Sequence, residues 1–329
     1  MSRRQALRVA LGLGALATLG GAAAPTALRW QRRHLVGFGT TLSLQAAHAD
    51  DDTLTTALDD AVAVLQRIEA QMSLFRDDSA LSRLNRDGRL ASPPAELREL
   101  LGIARDVAAR SDGAFDPTVQ PLWLAFADAQ AEGRLPTSGE VAMARARVGW
   151  HDLALPPDGS VVLARAGMGL TLNGIAQGYA ADRVRGVLAR HGISHALVDA
   201  GEHAMAGRNP QGGRWTLGIA DPRRHGQLLA RLFADGRCVA TSGDDETSFS
   251  ADRRHHHIFD PHTGYSPPVL AGVTVAAPTG ALADALTKVF FVAGPERAPA
   301  LAREWRVDAL WIDKAGRRGA TSGLALAAA

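Results

Sequence analysis

From Asp52 to Met72 the apolar residues Leu54, Leu58, Ala61, Leu65, Ile68 and Met72 recur three or four positions apart. That spacing predicts a one-sided helix of about six turns, with Asp51 or Asp52 as its cap. Shorter elements follow in irregular alternation. Val36–Leu44 reads as a glycine-punctuated strand, and Ser92-Pro93 opens a helix whose apolar face is Leu97, Leu100, Leu101, Ala104 and Val107. Another helix is expected near Ser138–Arg147. The second half is richer in strands. Leu170–Leu172 leads through Asn173-Gly174 into a helix from Ile175 to Arg190, and 196–199, 215–219, 228–232 and 238–241 read as strands of one sheet. A strand at 273–275 precedes a helix from Thr279 to Val292, and Val307–Ile312 is the closing strand. No fixed repeat and no regular βαβ rhythm runs through this order. The expected class is α+β, with mixed or antiparallel sheets and packed helices.

The chain has 329 residues, 46% of them hydrophobic and 21% charged, which suits a globular protein with a substantial core. Its only cysteine, Cys238, excludes an intramolecular disulfide and a cysteine-based metal cage.

The N-terminus carries Ser2-Arg3-Arg4-Gln5-Ala6-Leu7 before an apolar Ala/Leu/Gly-rich run that ends in Ala22-Ala23-Ala24. This pattern predicts a twin-arginine export leader over residues 1–24, with the folded domain over 30–329, and places the protein in the periplasm. The run is short and only mildly apolar for a membrane anchor. The precursor is formally +2, and the leader holds Arg3, Arg4 and Arg8 without an acid, so the mature chain is −1. No basic stripe marks a nucleic-acid surface, whatever the sequence pI of about 9.1 implies.

Three stretches carry candidate chemistry. His255-His256-His257 precede the turn signal Asp260-Pro261-His262-Thr263-Gly264. If that run is extended, His255 and His257 share a face and His256 takes the other. A histidine at the mouth of such a turn is a candidate general base. A zinc site is the competing reading, but a strand aims only two of the three rings at one ion and no HExxH pair supplies the rest. Asn173-Gly174 opens a helix whose free amides suit phosphate, although a glycine chosen for close helix packing explains it equally well. Asp284, Thr287 and Lys288 share one helix face. The Asp and Thr oxygens suit a hard cation such as magnesium, while an Asp284–Lys288 ion pair is the plain alternative.

Taken in order, these stretches resemble the ApbE family of FAD:protein FMN transferases. The resemblance rests on Gly39-Thr40-Thr41, on Met72-Ser73 with Ser79 to Asn85, on Asp112-Gly113-Ala114-Phe115-Asp116, on Gly174 to Asp182, on Ala240-Thr241-Ser242-Gly243, on His257 to Gly264 and on Ala283-Asp284-Ala285-Leu286. It implies a T-fold-like architecture and an enzyme that cleaves FAD with magnesium, releases AMP and attaches FMN through its phosphate to a threonine or serine of a flavoprotein. It also implies the site residues. FAD falls to Phe38, Phe75, Ala114, Phe115, Asp116, Thr171, Gln177 and Ile258. Magnesium falls to Gly174 through its carbonyl, Asp284, Thr287 and Lys288, and His257 is the general base.

The chain departs from the family's pattern at three of these positions. Thr171 stands where the family usually has Asp, Gln177 where it has Lys, and Lys288 where it has a threonine metal ligand. A protonated ammonium does not ligate magnesium and would itself be a fixed positive charge in the cation's place. In this the chain resembles a variant branch associated with nitrous oxide reductase maturation. The expected acceptor is a periplasmic or membrane-attached flavoprotein. A flavin-binding or flavin-delivery protein on the same fold, without catalysis, is the alternative.

Overall fold

The structure, a computed structural model, describes residues 27–224 and 226–327. The leader expected at residues 1–24 lies outside the described residues. No helix among the described residues is long and apolar enough to cross a membrane.

The first element departs from expectation. Strands β1 (Arg29–Gly37) and β2 (Thr40–His48) form an antiparallel hairpin. Phe38 at φ +51° and Gly39 at φ +77° make its turn. The glycines read as punctuation within one strand instead reverse the chain, because two successive positive-φ residues match the twist of a tight hairpin. Phe38 pays for its left-handed backbone with an anchored amide, which donates to Glu69 Oε1 at 2.9 Å.

Helix α1 (Asp51–Met72) follows as the periodicity predicts, but Asp50 is its cap, accepting from the Thr53 amide at 2.8 Å. After α2 (Ala80–Asp87) and β3 (Arg89–Leu90) comes α3 (Ala95–Arg110). It begins two residues later than Pro93, because a residue that precedes proline is barred from the helical region and Pro94 follows. Helix α4 (Gln120–Ala131) escapes the periodicity reading, while α5 (Ser138–Arg145) starts at a capping box of Thr137 and Glu140. A 3-10 turn at Trp150–Asp152 leads to β4 (Leu153–Ala154) and β5 (Val161–Leu163), which join β3 in a small ribbon.

Leu170–Leu172 is not a strand; it is pinned as a loop. Asn85 bonds both backbone groups of Leu170, at 2.7 and 2.9 Å, and the Thr171 amide donates to the Pro117 carbonyl at 2.8 Å. Helix α6 (Ala176–Arg190), strands β6 (His195–Asp199), β7 (His203–Ala206), β8 (Thr216–Ala220), β9 (Leu228–Phe233), β10 (Cys238–Gly243) and β11 (Leu270–Ala277) come next. Helices α7 (Gly280–Ala293) and α8 (Ala298–Trp305), then β12 (Asp308–Asp313) and β13 (Arg318–Ala320), complete the chain.

The main sheet has eight strands in the order β1-β2-β6-β7-β10-β11-β12-β13, and every adjacent pair is antiparallel. The expected α+β class holds. Strands β8 and β9 form a separate two-stranded sheet, with Leu232 also bridged to Leu326, which corrects their expected place in the main sheet. Along β10 the side chains alternate: Cys238 and Ala240 face the core under α1, α6 and α7, and Val239 faces Trp215, Leu217 and Leu232 of the β8–β9 region. With both faces covered, β11 is buried along its whole length.

Helices α6 and α7 cross at glycines. A methyl group on Gly178 would lie 2.1 Å from the Gly280 carbonyl oxygen, and one on Gly280 would lie 2.3 Å from the Gly178 carbonyl oxygen. Asp182 of α6 reinforces the contact by capping α7, accepting from the amides of Gly280 at 2.8 Å and Ala281 at 3.0 Å. This crossing sets where Asp284, one turn further along α7, can reach.

Candidate active site

Asp284 is 1% exposed at the α6–α7 contact. Its Oδ2 accepts from the Gly178 amide at 3.2 Å, and Lys288 Nζ donates to Oδ1 at 2.5 Å and to the Asp284 carbonyl at 3.3 Å. The lysine stem runs beside Gly174, whose absent side chain leaves it room: a methyl group there would lie 3.0 Å from Lys288 Cε. Thr287 is buried, and its hydroxyl donates to the Asp284 carbonyl at 2.7 Å. With that proton committed, Ser242 Oγ is the donor in the 2.8 Å bond to Thr287 Oγ1.

The side-chain oxygens expected to hold magnesium are therefore engaged. Magnesium demands close to six oxygens at about 2.0–2.1 Å. Here an ammonium sits on the one carboxylate of the set, and the hydroxyl already accepts a hydrogen bond. Among the described residues no group of three or more His, Cys, Asp or Glu side chains is placed to hold a metal, which also removes the zinc reading of the histidine run. The residues present do not fit the ion.

The segment 251–260 is not a regular strand: Ser248–His256 is an isolated bridge, flanked by the Phe249 amide donating to the His255 carbonyl at 2.7 Å and the His257 amide donating to the Thr247 carbonyl at 3.0 Å, and His256 is buried while His255 and His257 are half-buried. The rings go three ways. His255 packs against Phe126, with ring centres 5.7 Å apart, and His256 is fully buried against Phe291 at 5.9 Å. His257 turns to the cluster around Lys288. Burial first, and the Lys288 charge second, lower His257 to about 4, so the ring is neutral near pH 7. Its Nδ1 lies 3.3 Å from the Thr247 carbonyl, which can only accept, so that nitrogen carries the proton. Nε2 keeps its lone pair and stands 3.7 Å from Glu246, outside hydrogen-bond range.

Two acids in this cluster were not found in the sequence. Glu202 is buried in the β6–β7 turn and accepts from the Thr241 amide at 3.0 Å. Burial first, then the Asp284 charge, hold its carboxyl well above the usual carboxylate range. Glu246 stands at the rim with its side chain 60% exposed, and desolvation by the protein around it raises its carboxyl while Lys288 opposes the shift. Neither sits in a recognisable spacing; an acid beside Gly201 after a buried strand was the only signal for Glu202.

The remaining expected positions fall into two groups. Ala114, Phe115 and Asp116 form a loop tied from two sides. Thr171 joins it through the Pro117 carbonyl, and His262 Nε2 lies 2.9 Å from the Asp112 carbonyl, which connects it to the 260–264 turn. Asp116 is buried and accepts from Thr118 and from the Trp150 amide; burial outweighs these bonds and raises its carboxyl. Ile258 is buried directly after His257, and Gln177 lies against Gly201, next to Glu202. Phe38 and Phe75 instead sit at the C-terminal end of α1, Phe38 half-buried on Glu69 and Phe75 80% exposed. At the start of α6, offered to phosphate by the sequence, three amides are occupied: Ile175 and Ala176 donate to Leu172, and Gly178 donates to Asp284. A separate cavity of about 650 Å³ beside Asn85, Gln120 and Gly169 contains none of the clustered residues.

The ApbE family model matches residues 38–311. The chain belongs to the ApbE family. It is 35% identical over 292 residues to the FAD:protein FMN transferase of Treponema pallidum (strain Nichols), covering 82% of this chain and 80% of that one. It is 30% identical over 280 residues to the FAD:protein FMN transferase of Haemophilus influenzae, with 79% and 80% covered. The structure of Pseudomonas stutzeri flavinyl transferase ApbE in its apo form superposes with a TM-score of 0.78 at 29% identity, covering 90% of this chain and 95% of that one. Most of the ApbE-like length thus maps onto the sheet, the crossing helices and the cluster described above.

The buried histidines also predict acid sensitivity. Burial first, then the charges of Lys314 and His257, lower His256 to about 3. Its folded value lies below the unfolded one near 6.5, so the unfolded chain takes up the proton first. The stability this residue contributes is complete above about pH 6.5 and is lost as pH falls toward about 3, at about 1.4 kcal/mol per pH unit. Urea midpoints measured from pH 7 to 5 should fall less steeply for His256→Phe than for the parent; parallel slopes would remove His256 from the acid response.

Proposed function

We infer that this chain is an FAD:protein FMN transferase. It brings a threonine or serine hydroxyl of a flavoprotein to the FMN phosphorus of FAD, forms a phosphoester there and releases AMP. The observation that carries this reading is a neutral His257, whose Nε2 has no hydrogen-bond partner among the described residues, in the same cluster as the Lys288 ammonium. The attacking hydroxyl loses its proton to Nε2 as the oxygen–phosphorus bond forms and the bond to the AMP oxygen breaks. Lys288 offers positive charge to the phosphates, and Ser242 at the end of β10, bonded to Thr287 of the same helix, lies on the face of the sheet that Lys288's helix covers. Ala114 to Asp116, Thr171, Gln177 and Ile258 form the wall proposed for FAD. Phe38 and Phe75 are proposed as its outer edge, where the exposed Phe75 ring is available to a flat ligand. Magnesium is given no step, since the donor set does not take it.

The Ser2-Arg3-Arg4 leader supports export of a domain spanning 30–329 and an acceptor that is periplasmic or membrane-attached. The test uses the purified mature chain with FAD and an acceptor flavoprotein, following AMP release and in-gel flavin fluorescence together. The expected result is one AMP per flavin attached, with FAD bound in preference to NAD. FAD binding without AMP release would instead establish the flavin-delivery alternative. No FAD binding would remove both.

A further inference from the structure

Lys288 has three ammonium protons and uses two of them on Asp284, at 2.5 Å to the carboxylate and 3.3 Å to the carbonyl. The third is free. Its side chain is 17% exposed, so the clamped lysine is enclosed by protein over most of its surface without being sealed from solvent. Gly174 gives the stem its channel, and Gly178 and Ser242 engage the remaining Asp284 and Thr287 oxygens. The groups that feel this charge include His257, Glu202 and Glu246, which arrive from three other segments of the chain. A cation clamped at this point, with one donor to spare, does the electrostatic part of a metal's work.

We propose that Lys288 is a resident counter-cation, clamped on Asp284, that binds the FAD diphosphate in place of a divalent ion, so that flavin binding by this chain is independent of magnesium. The proposal rests on the transferase reading above. An ammonium differs from magnesium in ways that matter here. It carries one charge instead of two and has no open coordination positions, but it needs no dehydration and is present at every metal concentration.

FAD binding, read from flavin fluorescence quenching, is compared in EDTA and in excess magnesium for the parent, for Lys288→Thr and for the neutral pair Asp284→Asn/Lys288→Met. The pair removes both charges together, so that neither is left buried alone. The parent should bind FAD equally in both conditions. Lys288→Thr exposes the carboxylate and adds a hydroxyl; it should bind roughly ten- to a hundredfold more weakly in EDTA and recover with magnesium. The neutral pair should be weak in both. Melting temperatures read alongside should rise with magnesium for Lys288→Thr only, and they show which variants are folded. Parent binding that is lost in EDTA and restored by magnesium would overturn the inference while leaving the transferase reading in place. So would Lys288→Thr binding as tightly as the parent in EDTA. A parent that binds no FAD in either condition overturns the transferase reading, and the inference with it.

Discussion

Gly178→Ala is expected to destabilise the protein by about 3 kcal/mol or more, at the upper end of what overpacking produces. The added methyl would meet the Gly280 backbone oxygen at 2.1 Å, and backbone at a helix crossing cannot rotate away as a side chain can. Relief requires α6 and α7 to separate, which opens the core where Asp284 is buried and lengthens its bond from the Gly178 amide. Gly186→Ala supplies the control on the same helix, where the nearest foreign atom is Arg190 Nη1 at 3.8 Å. That substitution should be neutral or stabilising by up to about 1 kcal/mol, the propensity difference between the two residues. Urea denaturation of the three proteins checks both values. Equal midpoints for parent and Gly178→Ala would mean that the crossing is looser than described.

His257→Ala should lower flavin transfer by roughly 10²–10⁴-fold and leave FAD affinity nearly unchanged, as expected when a general base is removed. In the parent, transfer should hold from neutral pH down to about 5 and fall as pH drops through about 4, where Nε2 takes its own proton. The rate is measured by in-gel fluorescence at saturating FAD. An unchanged rate in His257→Ala would exclude the base role, and loss of FAD binding would reassign the ring to substrate contact. His255→Ala should leave transfer intact while lowering stability, since its ring packs on Phe126 and Tyr265.

The long elements were legible because each is governed by local periodicity. Helix α1 was found within a residue of its bounds, and α7 ends at the Gly294 that the pattern marks. Errors fell where tertiary contacts decide. Nothing in Val36–Leu44 distinguishes a strand from a hairpin without knowing that Phe38 can hold φ +51° by leaning its amide on Glu69, on a helix about thirty residues away. Strands β8 and β9 carry ordinary strand sequences, and only the apolar surface they cover, around Trp215 and Leu232, takes them off the sheet. The candidate site divides the same way. Gly174, Asp284, Thr287 and Lys288 were found because one motif and one helix face hold them. Glu202 and Glu246 reach the same cluster from loops with no pattern of their own. The histidine run could be read only as far as the burial of its middle ring, because each ring's partner, Phe126, Phe291 or the Thr247 carbonyl, comes from another segment of the chain.

The sheet order has a consequence for how the chain comes to be active. Strand β2 pairs with β6 across about 150 residues, with Ser43 opposite Asp199, and the sheet is completed only by β12 and β13 near the C-terminus. Closing so long a loop is entropically slow and yields nothing until the partner strand exists. The cluster is likewise assembled from Gly174, Glu202, Ser242, His257 and Lys288, and the helix that carries Lys288 packs on α6, β10 and β11, all of which precede it in the chain. A chain cut before α7 lacks both Asp284 and Lys288, so the clamp and the cluster around it come together only once that helix has been made and laid across α6.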